Sequence, residues 1–350
     1  MILDSCPVPI VLAPLAGGPA TPELTAAVTN AGGLGFLAAG YLSAAELAAR
    51  RAATRQLTSG PFGINVFVPG TPRSPASLQP FAEAIEADAH SVGASVGEAA
   101  YEDDDWAAKI SHLLGDPPPV ISFTFGFPDG QLVQRLRDRG SEVWMTVTSV
   151  PEAIAAAALG ADLLVVQGAE AGGHRGGPED DPDQATGLLA LLQLIRTRVQ
   201  IPLVATGGIA TGAGVAAVLA AGARAAALGT AFLGCPEAGT SAVHRAALNG
   251  NTPTGYTRAF TGRTARGIRN RFFEQHSAAA PAAYPQVHHL TAPMRKAARE
   301  SGQAEVVNLW AGQAYPLTRQ LPAPDLVRAL SAEAREALDR AATLLPMRPD

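Results

Sequence analysis

Short continuous apolar runs alternate with longer segments whose apolar positions recur at helical spacing. Val8 to Ala13 is the first run; it ends at Pro14 and predicts a buried strand. Thr21 then stands as a helix N-cap with Pro22 at the first helical position, and Ala31-Gly32-Gly33 supplies the stop. Leu34 to Ala38 predicts the second strand, and Ser43 with Glu46 forms a capping box for a helix ending near Leu57. Phe62 to Val68 predicts the third strand, with an amide, Asn65, in its middle. Pro69 to Pro80 then holds four prolines, and helical stretches follow at Leu78 to His90 and Ala99 to Leu114. That is more chain than one crossover helix needs, so it reads as an insertion.

The alternation then resumes. Strands are predicted at Pro119 to Thr124, Glu142 to Val147, Asp162 to Gln167, Pro202 to Ala205 and Arg224 to Leu228. Asp129, a Ser149–Glu152 capping box and Thr211 open helices between them, and a further helix spans Ala185 to Thr197. A glycine-rich loop runs from Gly168 to Pro182. Eight such units with strands apolar on both faces predict a parallel sheet covered by helices, closed rather than open. The expected fold is α/β: a (β/α)8 TIM barrel over 1–68 and 97–234. After Gly250 the texture changes: Thr254 to Asn270 is rich in Thr, Gly and Arg, and Ala278 to Pro293 reads as loop. Helices follow at Met294 to Ser301 and Asp325 to Leu344. The insertion 69–96 and residues 235–350 are expected to form a smaller, mostly helical substrate or lid domain.

Composition narrows the class. The 350 residues exceed one simple barrel of roughly 250. A net charge of −5 and a pI near 5.8 oppose a nucleic-acid or membrane-surface partner. Cys6 and Cys235 lie far apart and indicate neither a disulfide framework nor a zinc site. Met1 to Ser5 lacks the basic start of a signal peptide, and no apolar run of about 18 residues is free of Gly, Pro or charge. The expectation is a soluble, cytoplasmic protein.

In such a barrel the loops after the strands open on one face, and those after strands seven and eight often hold a phosphate. Here they are Gly207-Gly208 and Gly229-Thr230, whose unobstructed amides, with the Thr230 hydroxyl, suit a dianion. The alternative is that these glycines only turn the chain. Neither a P-loop nor a Rossmann glycine pattern is present. Asn65 and Gln167 are amides in otherwise apolar strands; they suit ribityl hydroxyls or a flat ring's polar edge, or else an internal network. Ala13, Pro14 and Leu15 offer backbone beside such a ring. His174, within Gly172-Gly173-His174-Arg175-Gly176, is either a reacting group beside the ligand or a solvated loop residue. No metal site is expected: the adjacent pair His288-His289 need not converge, and Asp103 to Asp105 and Glu179 to Asp181 read as solvated charge.

Several stretches together resemble the nitronate monooxygenase family, formerly the 2-nitropropane dioxygenases, which carry FMN in a barrel. They are Pro9 to Pro19, Asn30 to Gly35, Phe62 to Phe67, Ser122 to Gly126, Glu170 to Gly176 and Leu309 to Gln313. Leu15 departs from the methionine common there. The resemblance implies FMN contacts, which with the loop reading comprise Ala13, Pro14, Leu15, Asn65, Gln167, Gly172, Gly173, Gly207, Gly208, Ala227, Leu228, Gly229 and Thr230. It also implies a catalytic His174, a cationic or hydrogen-bonding imidazole that stabilises the anion and can act as base toward a neutral nitroalkane. The implied reaction is oxidative denitrification of an alkyl nitronate or propionate 3-nitronate with dioxygen, giving a carbonyl compound and nitrite. The alternative is an FMN-dependent NAD(P)H oxidoreductase of the enoyl-ACP reductase or quinone reductase type. Arg175 and Ser122 to Gly126 favour the first. The oligomeric state is left open, a homodimer included.

Overall fold

The computed structural model describes residues 1–344 other than Arg73, Pro182 and Gln184. Pro182, the predicted end of the glycine-rich loop, and 345–350 of the lid domain therefore lie outside the described residues. The chain runs β1 (Ile10–Leu12), α1 (Pro22–Asn30), β2 (Gly35–Ala38), α2 (Ala44–Leu57), β3 (Phe62–Phe67). The insertion supplies α3 (Gln79–Ala84) and α4 (Glu86–Ser91), and α5 (Trp106–Gly115) leads back into the barrel. Then come β4 (Val120–Thr124), α6 (Gly130–Asp138), β5 (Glu142–Val147), α7 (Val150–Ala158), β6 (Leu163–Gln167), β7 (Gly173–His174), α8 (Leu188–Arg196), β8 (Leu203–Thr206), α9 (Gly212–Ala220) and β9 (Ala225–Leu228). The remainder holds α10 (Ala242–Ala247), β10 (Thr254–Thr257), β11 (Ala265–Ile268), α11 (Arg271–His276), α12 (Gln286–Glu300) and α13 (Ala323–Leu344).

Eight strands form one parallel sheet in the order β1-β9-β8-β6-β5-β4-β3-β2. A parallel bridge between Val11 and Leu34 joins its two ends, with Leu34 N–H on the Ile10 carbonyl at 3.0 Å, so the barrel is closed. The predicted caps are made: Thr21, Ser43, Ser149 and Thr211 accept from the backbone of Leu24, Glu46, Glu152 and Gly214. Inside the barrel, Val11, Phe36, Val120, Trp144, Leu163 and Val204 pack together, and Leu3 from the N-terminal turn joins them. The amino ends of the strands are thereby filled, and open space is left only toward their carboxyl ends. No described helix is long and apolar enough to cross a membrane.

A second core joins insertion and annex, with Phe81, Ile85 and Ala89 packed among Phe260, Phe272, Val287, Leu290 and Met294. The structure departs from expectation in four places. The annex is not only helical: β10, β11 and β7 form a three-stranded antiparallel sheet, so the Thr/Gly/Arg-rich run is a hairpin. The segment Ala278 to Pro293 is not all loop, because α12 starts at Gln286 and carries Pro293 inside it. Proline withholds one helical N–H. Here the chain leaving the insertion closes on that turn: Gly97 donates to the Leu290 carbonyl at 2.8 Å and lies so near the His289 carbonyl that a Cβ would come within 2.2 Å. Helix α5 starts at Trp106 rather than Ala99, since Asp104 and Asp105 take left-handed φ of 58° and 54°. Finally α13, within 235–350, packs on the barrel. Its apolar face, Ala323, Leu326, Val327, Leu330 and Ala334, belongs to the core between strands and outer helices, and Glu333 accepts from Gly212 N–H of α9 at 3.0 Å.

Leu330 is fully buried at that contact. Leu330→Ala should cost about 2–5 kcal/mol in urea unfolding, as a large core truncation does. A loss under about 0.5 kcal/mol, the level of a surface substitution, would show that α13 only rests on the barrel.

Candidate active site

A cavity of about 470 Å³ opens at the carboxyl ends of the strands. The barrel contributes Asn65, Gln167, Thr206 and the glycine loops, and the annex covers it with Thr261, His288, Arg295 and Trp310. The size suits a cofactor or small-molecule site.

His174 is held from two directions. On the annex side β7 pairs with β11, His174 opposite Ala265 and Gly173 opposite Arg266, and Arg175 N–H reaches the Thr264 carbonyl at 2.9 Å. From the barrel, Gln167 donates through Nε2 to the His174 carbonyl at 3.0 Å and accepts at Oε1 from Gly176 N–H at 2.8 Å. Arg263 donates to the carbonyls of Arg175 and Gly177, and Arg266 Nε and the Tyr256 hydroxyl both donate to that of Ala169, at 2.9 and 2.7 Å. Arg175 is buried and reaches Thr148 Oγ1 at 2.9 Å, and Thr148 donates to Glu152 at 2.9 Å. The solvated-loop alternative for His174 therefore falls.

The imidazole faces an aromatic wall. Phe125, Trp310 and Tyr284 stand at centroid distances of 5.4, 5.6 and 5.8 Å. Its Nε2 lies 2.9 Å from Thr261 Oγ1. Burial, with the nearby Arg263 and Arg295 guanidiniums, pushes its pKa down to about 3. His174 is thus neutral at neutral pH, and of the cationic and hydrogen-bonding forms that the sequence left open the hydrogen-bonding one applies. Thr261 Oγ1 also lies 3.3 Å from the Arg263 carbonyl. With one hydroxyl proton to give, Thr261 has two settings: donating to Arg263, it makes His174 an Nε2–H tautomer with a lone pair on Nδ1; donating to Nε2, it leaves Nδ1–H as a donor. Tyr41 and Phe125, both on the cavity wall, take left-handed φ of 65° and 75°, a strain of about 1–3 kcal/mol each that clusters at functional sites.

At the opposite end Gly207 and Gly208 take φ of 120° and 68°, and a Cβ on Gly208 would lie 2.8 Å from Glu170 Cβ. The N–H groups of Gly207, Gly208, Gly229 and Thr230 meet no acceptor among the described residues. Thr230 Oγ1 accepts from Gly312 N–H at 3.0 Å, which leaves its own proton to give. The small interior side chains of Ala13 and Ala227 line the floor, with Leu15 and Gly229 in contact at its edge. Besides Gln167 and Thr230, two more sequence candidates are set by protein contacts. Asn65 turns Nδ2 to Ser122 Oγ and Thr124 Oγ1 at 2.9 and 2.8 Å. Gly172 is small because Gly312 N would lie 2.4 Å from a Cβ there. His288 and His289 diverge, one toward Arg295 and the other toward Glu102. Tyr41, Thr261, Tyr284 and Arg295 carried no sequence signal, and His288 was weighed only as half of an adjacent pair; the spacing of Thr291, Arg295 and Arg299 would have marked a polar helix face had Pro293 not interrupted it.

A closed parallel barrel with bare amides at its last two loops, and a histidine lining the same cavity, has the build of a barrel enzyme acting on a small molecule. The family model described as nitronate monooxygenase matches residues 3–333. The chain belongs to that family of flavin-dependent oxidoreductases. It is 38% identical over 330 residues to a probable nitronate monooxygenase of Staphylococcus aureus (strain Newman), covering 90% of this chain and 91% of the relative. The solved nitroalkane oxidase from Streptomyces ansochromogenes is 47% identical, with a TM-score of 0.94 and coverage of 97% and 99%. FabK from Thermotoga maritima is 25% identical, with a TM-score of 0.77 and 98% of each chain covered.

A depressed histidine pKa has a signed consequence. An unfolded imidazole titrates near ~6.5, so between there and about 3 the unfolded chain binds the extra proton and stability falls with pH. From pH 6.5 to 5 His174 should cost about 2 kcal/mol. His174→Gln, compared with wild type by urea unfolding at both pH values, should lose less stability on acidification by about that amount. Equal losses would place the imidazole in solvent.

Proposed function

We propose that the chain binds one FMN, noncovalently, and oxidises nitronates with dioxygen to a carbonyl compound and nitrite. The observation that carries this is a neutral, half-buried His174 lining the same cavity as a cluster of unpaired backbone donors. The residues fit the group: Gly207, Gly208, Gly229 and Thr230 would hold the phosphate. Gln167 and Asn65, which have spare hydrogen-bonding capacity beyond their protein contacts, would face the ribityl chain or ring edge. Ala13 to Leu15 and Ala227 would pack against the ring. When bound, FMN supplies the electron-accepting step, and dioxygen completes the oxidation. Gln167 orients His174 through the backbone as well as meeting the cofactor. His174, in its Nδ1–H setting, donates to a substrate anion. The aromatic wall of Phe125 and Trp310 excludes water, which strengthens that hydrogen bond. An imidazole with so low a pKa is a weak base, so the reading favours substrates that arrive already ionised.

Anaerobic titration separates this from a nicotinamide-driven reductase. Ethyl nitronate should bleach the yellow protein, and NADPH should leave it oxidised. The reverse order would make the chain a reductase.

His174→Ala should keep FMN and lower kcat/KM on nitronates by about 10²–10⁴-fold, and His174→Asn should recover part of it. Wild-type turnover by the alanine variant with FMN bound would remove His174 from the chemistry. Gly208→Asp should abolish FMN uptake, measured by fluorescence titration, by setting a carboxylate against the phosphate.

A further inference from the structure

Arg295 is buried on α12, and its hydrogen-bond partners are all neutral. Nε donates to Thr291 Oγ1 at 2.9 Å, Nη1 to Asn308 Oδ1 at 3.1 Å, and Nη2 to His288 Nδ1 and the His288 carbonyl at 3.1 and 3.0 Å. A guanidinium has five N–H groups, so one on Nη1 is left over. Lys109 and Arg51 have carboxylates in contact, Asp104 at 2.8 Å and Asp116 at 3.2 Å. Arg175, Arg263 and Arg266 are buried with neutral partners too, but theirs are Thr148, Thr254 and loop carbonyls, and none of the three lines the cavity as Arg295 does. Among the described residues no carboxylate acts on Arg295; burial lowers its pKa to about 10, so it stays charged at neutral pH. An unpaired buried charge is costly and is retained where something else balances it.

The surroundings say what balances it. Arg295 lines the cavity, and Arg299, one turn further along α12, lines it too. Among the described residues the wall carries no aspartate or glutamate at all. His288 cannot compensate: its Nδ1 accepts from Arg295, so the ring is the neutral Nε2–H tautomer, stacked on Tyr41 at 4.3 Å and 8°. The positive charge of Arg295 also reaches His174, helping to keep that imidazole unprotonated. The annex end of the cavity is therefore a second anion-receiving site, built from side chains, where the glycine-loop end is built from backbone.

We propose that Arg295 receives the anionic oxygens of the substrate, making it the residue that selects ionised substrates. The proposal rests on the nitronate reading above. The oxygens come either from the nitronate group or from a carboxylate on its tail. Arg295 donates to them with its spare N–H and its charge, and no bond is made or broken by it. His288, Thr291 and Asn308 fix the guanidinium plane.

The test compares FMN-loaded wild type, Arg295→Met and Arg295→Lys on ethyl nitronate and on propionate 3-nitronate, with sodium nitrite binding measured by calorimetry. Loss of one charge-assisted hydrogen bond should raise KM by about 10–100-fold, with kcat changed much less. Arg295→Lys should restore part of the affinity, which separates charge from folding damage. A rise on both substrates assigns the site to the nitronate oxygens; a rise on propionate 3-nitronate alone assigns it to the carboxylate. In either case Arg295→Met should weaken nitrite binding and raise the NMR titration midpoint of His174, which a purely structural arginine would not do. Unchanged KM on both substrates with unchanged nitrite binding would overturn the proposal. Wild type that binds nitrite through Arg295 but turns over neither nitronate would leave the anion site standing and sink the functional reading instead.

Discussion

The active-site end of the barrel depends on one backbone segment, 168–177, being gripped on both sides. The barrel grips it through Gln167, whose single amide holds the His174 carbonyl and the Gly176 N–H. The annex grips it through β11 and through Arg263 and Arg266, which take its carbonyls. Each side alone leaves several main-chain groups of a glycine-rich loop without partners, and buried orphans of that kind are costly. Together they turn the most flexible-looking part of the chain into the strand that aims the imidazole. Barrel and annex are therefore one catalytic unit, although their hydrophobic cores are separate.

The same division of labour explains the polarity of the cavity. At the barrel end, positive potential comes from backbone amides that glycine leaves uncovered. At the annex end it comes from guanidinium groups on α12. Between them the wall mixes aromatic and aliphatic side chains with uncharged polar ones such as Asn65, Thr206 and Thr261, and among the described residues no carboxylate on it opposes either field. On the proposed function, a cofactor phosphate and a small substrate anion would occupy one cavity without competing for the same donors.

How much of this was legible in the sequence follows from the range of the interactions. Barrel strands and helix caps are local: Thr21, Ser43, Ser149 and Thr211 each satisfy a backbone group three residues on, and their residue types announce it. The glycines at 207 and 208 were legible because positive φ is nearly their private territory. The β7–β11 pairing was not, since a two-residue strand has no period and its partner lies about ninety residues away. Arg295 was hidden by Pro293, a helix breaker by local rule that survives because the insertion packs its backbone against that turn. The dual duty of Gln167 was hidden because residue type shows that an amide needs partners without showing which.

A neutral His174 among arginines is a choice of where to keep positive charge. An imidazolium would supply it only below its pKa, and burial beside two guanidiniums has driven that value to about 3. Arginine supplies it at every pH the protein meets, because even buried Arg295 is held only down to about 10. The site therefore separates attraction from directionality. Arginines provide a field that does not titrate between about pH 4 and 9, and the imidazole provides a hydrogen bond whose sense Thr261 can set. A protonated histidine in the same place would join both tasks to one proton, and anion affinity would fall away across neutral pH. Keeping the proton off His174 is what makes the two tasks independent.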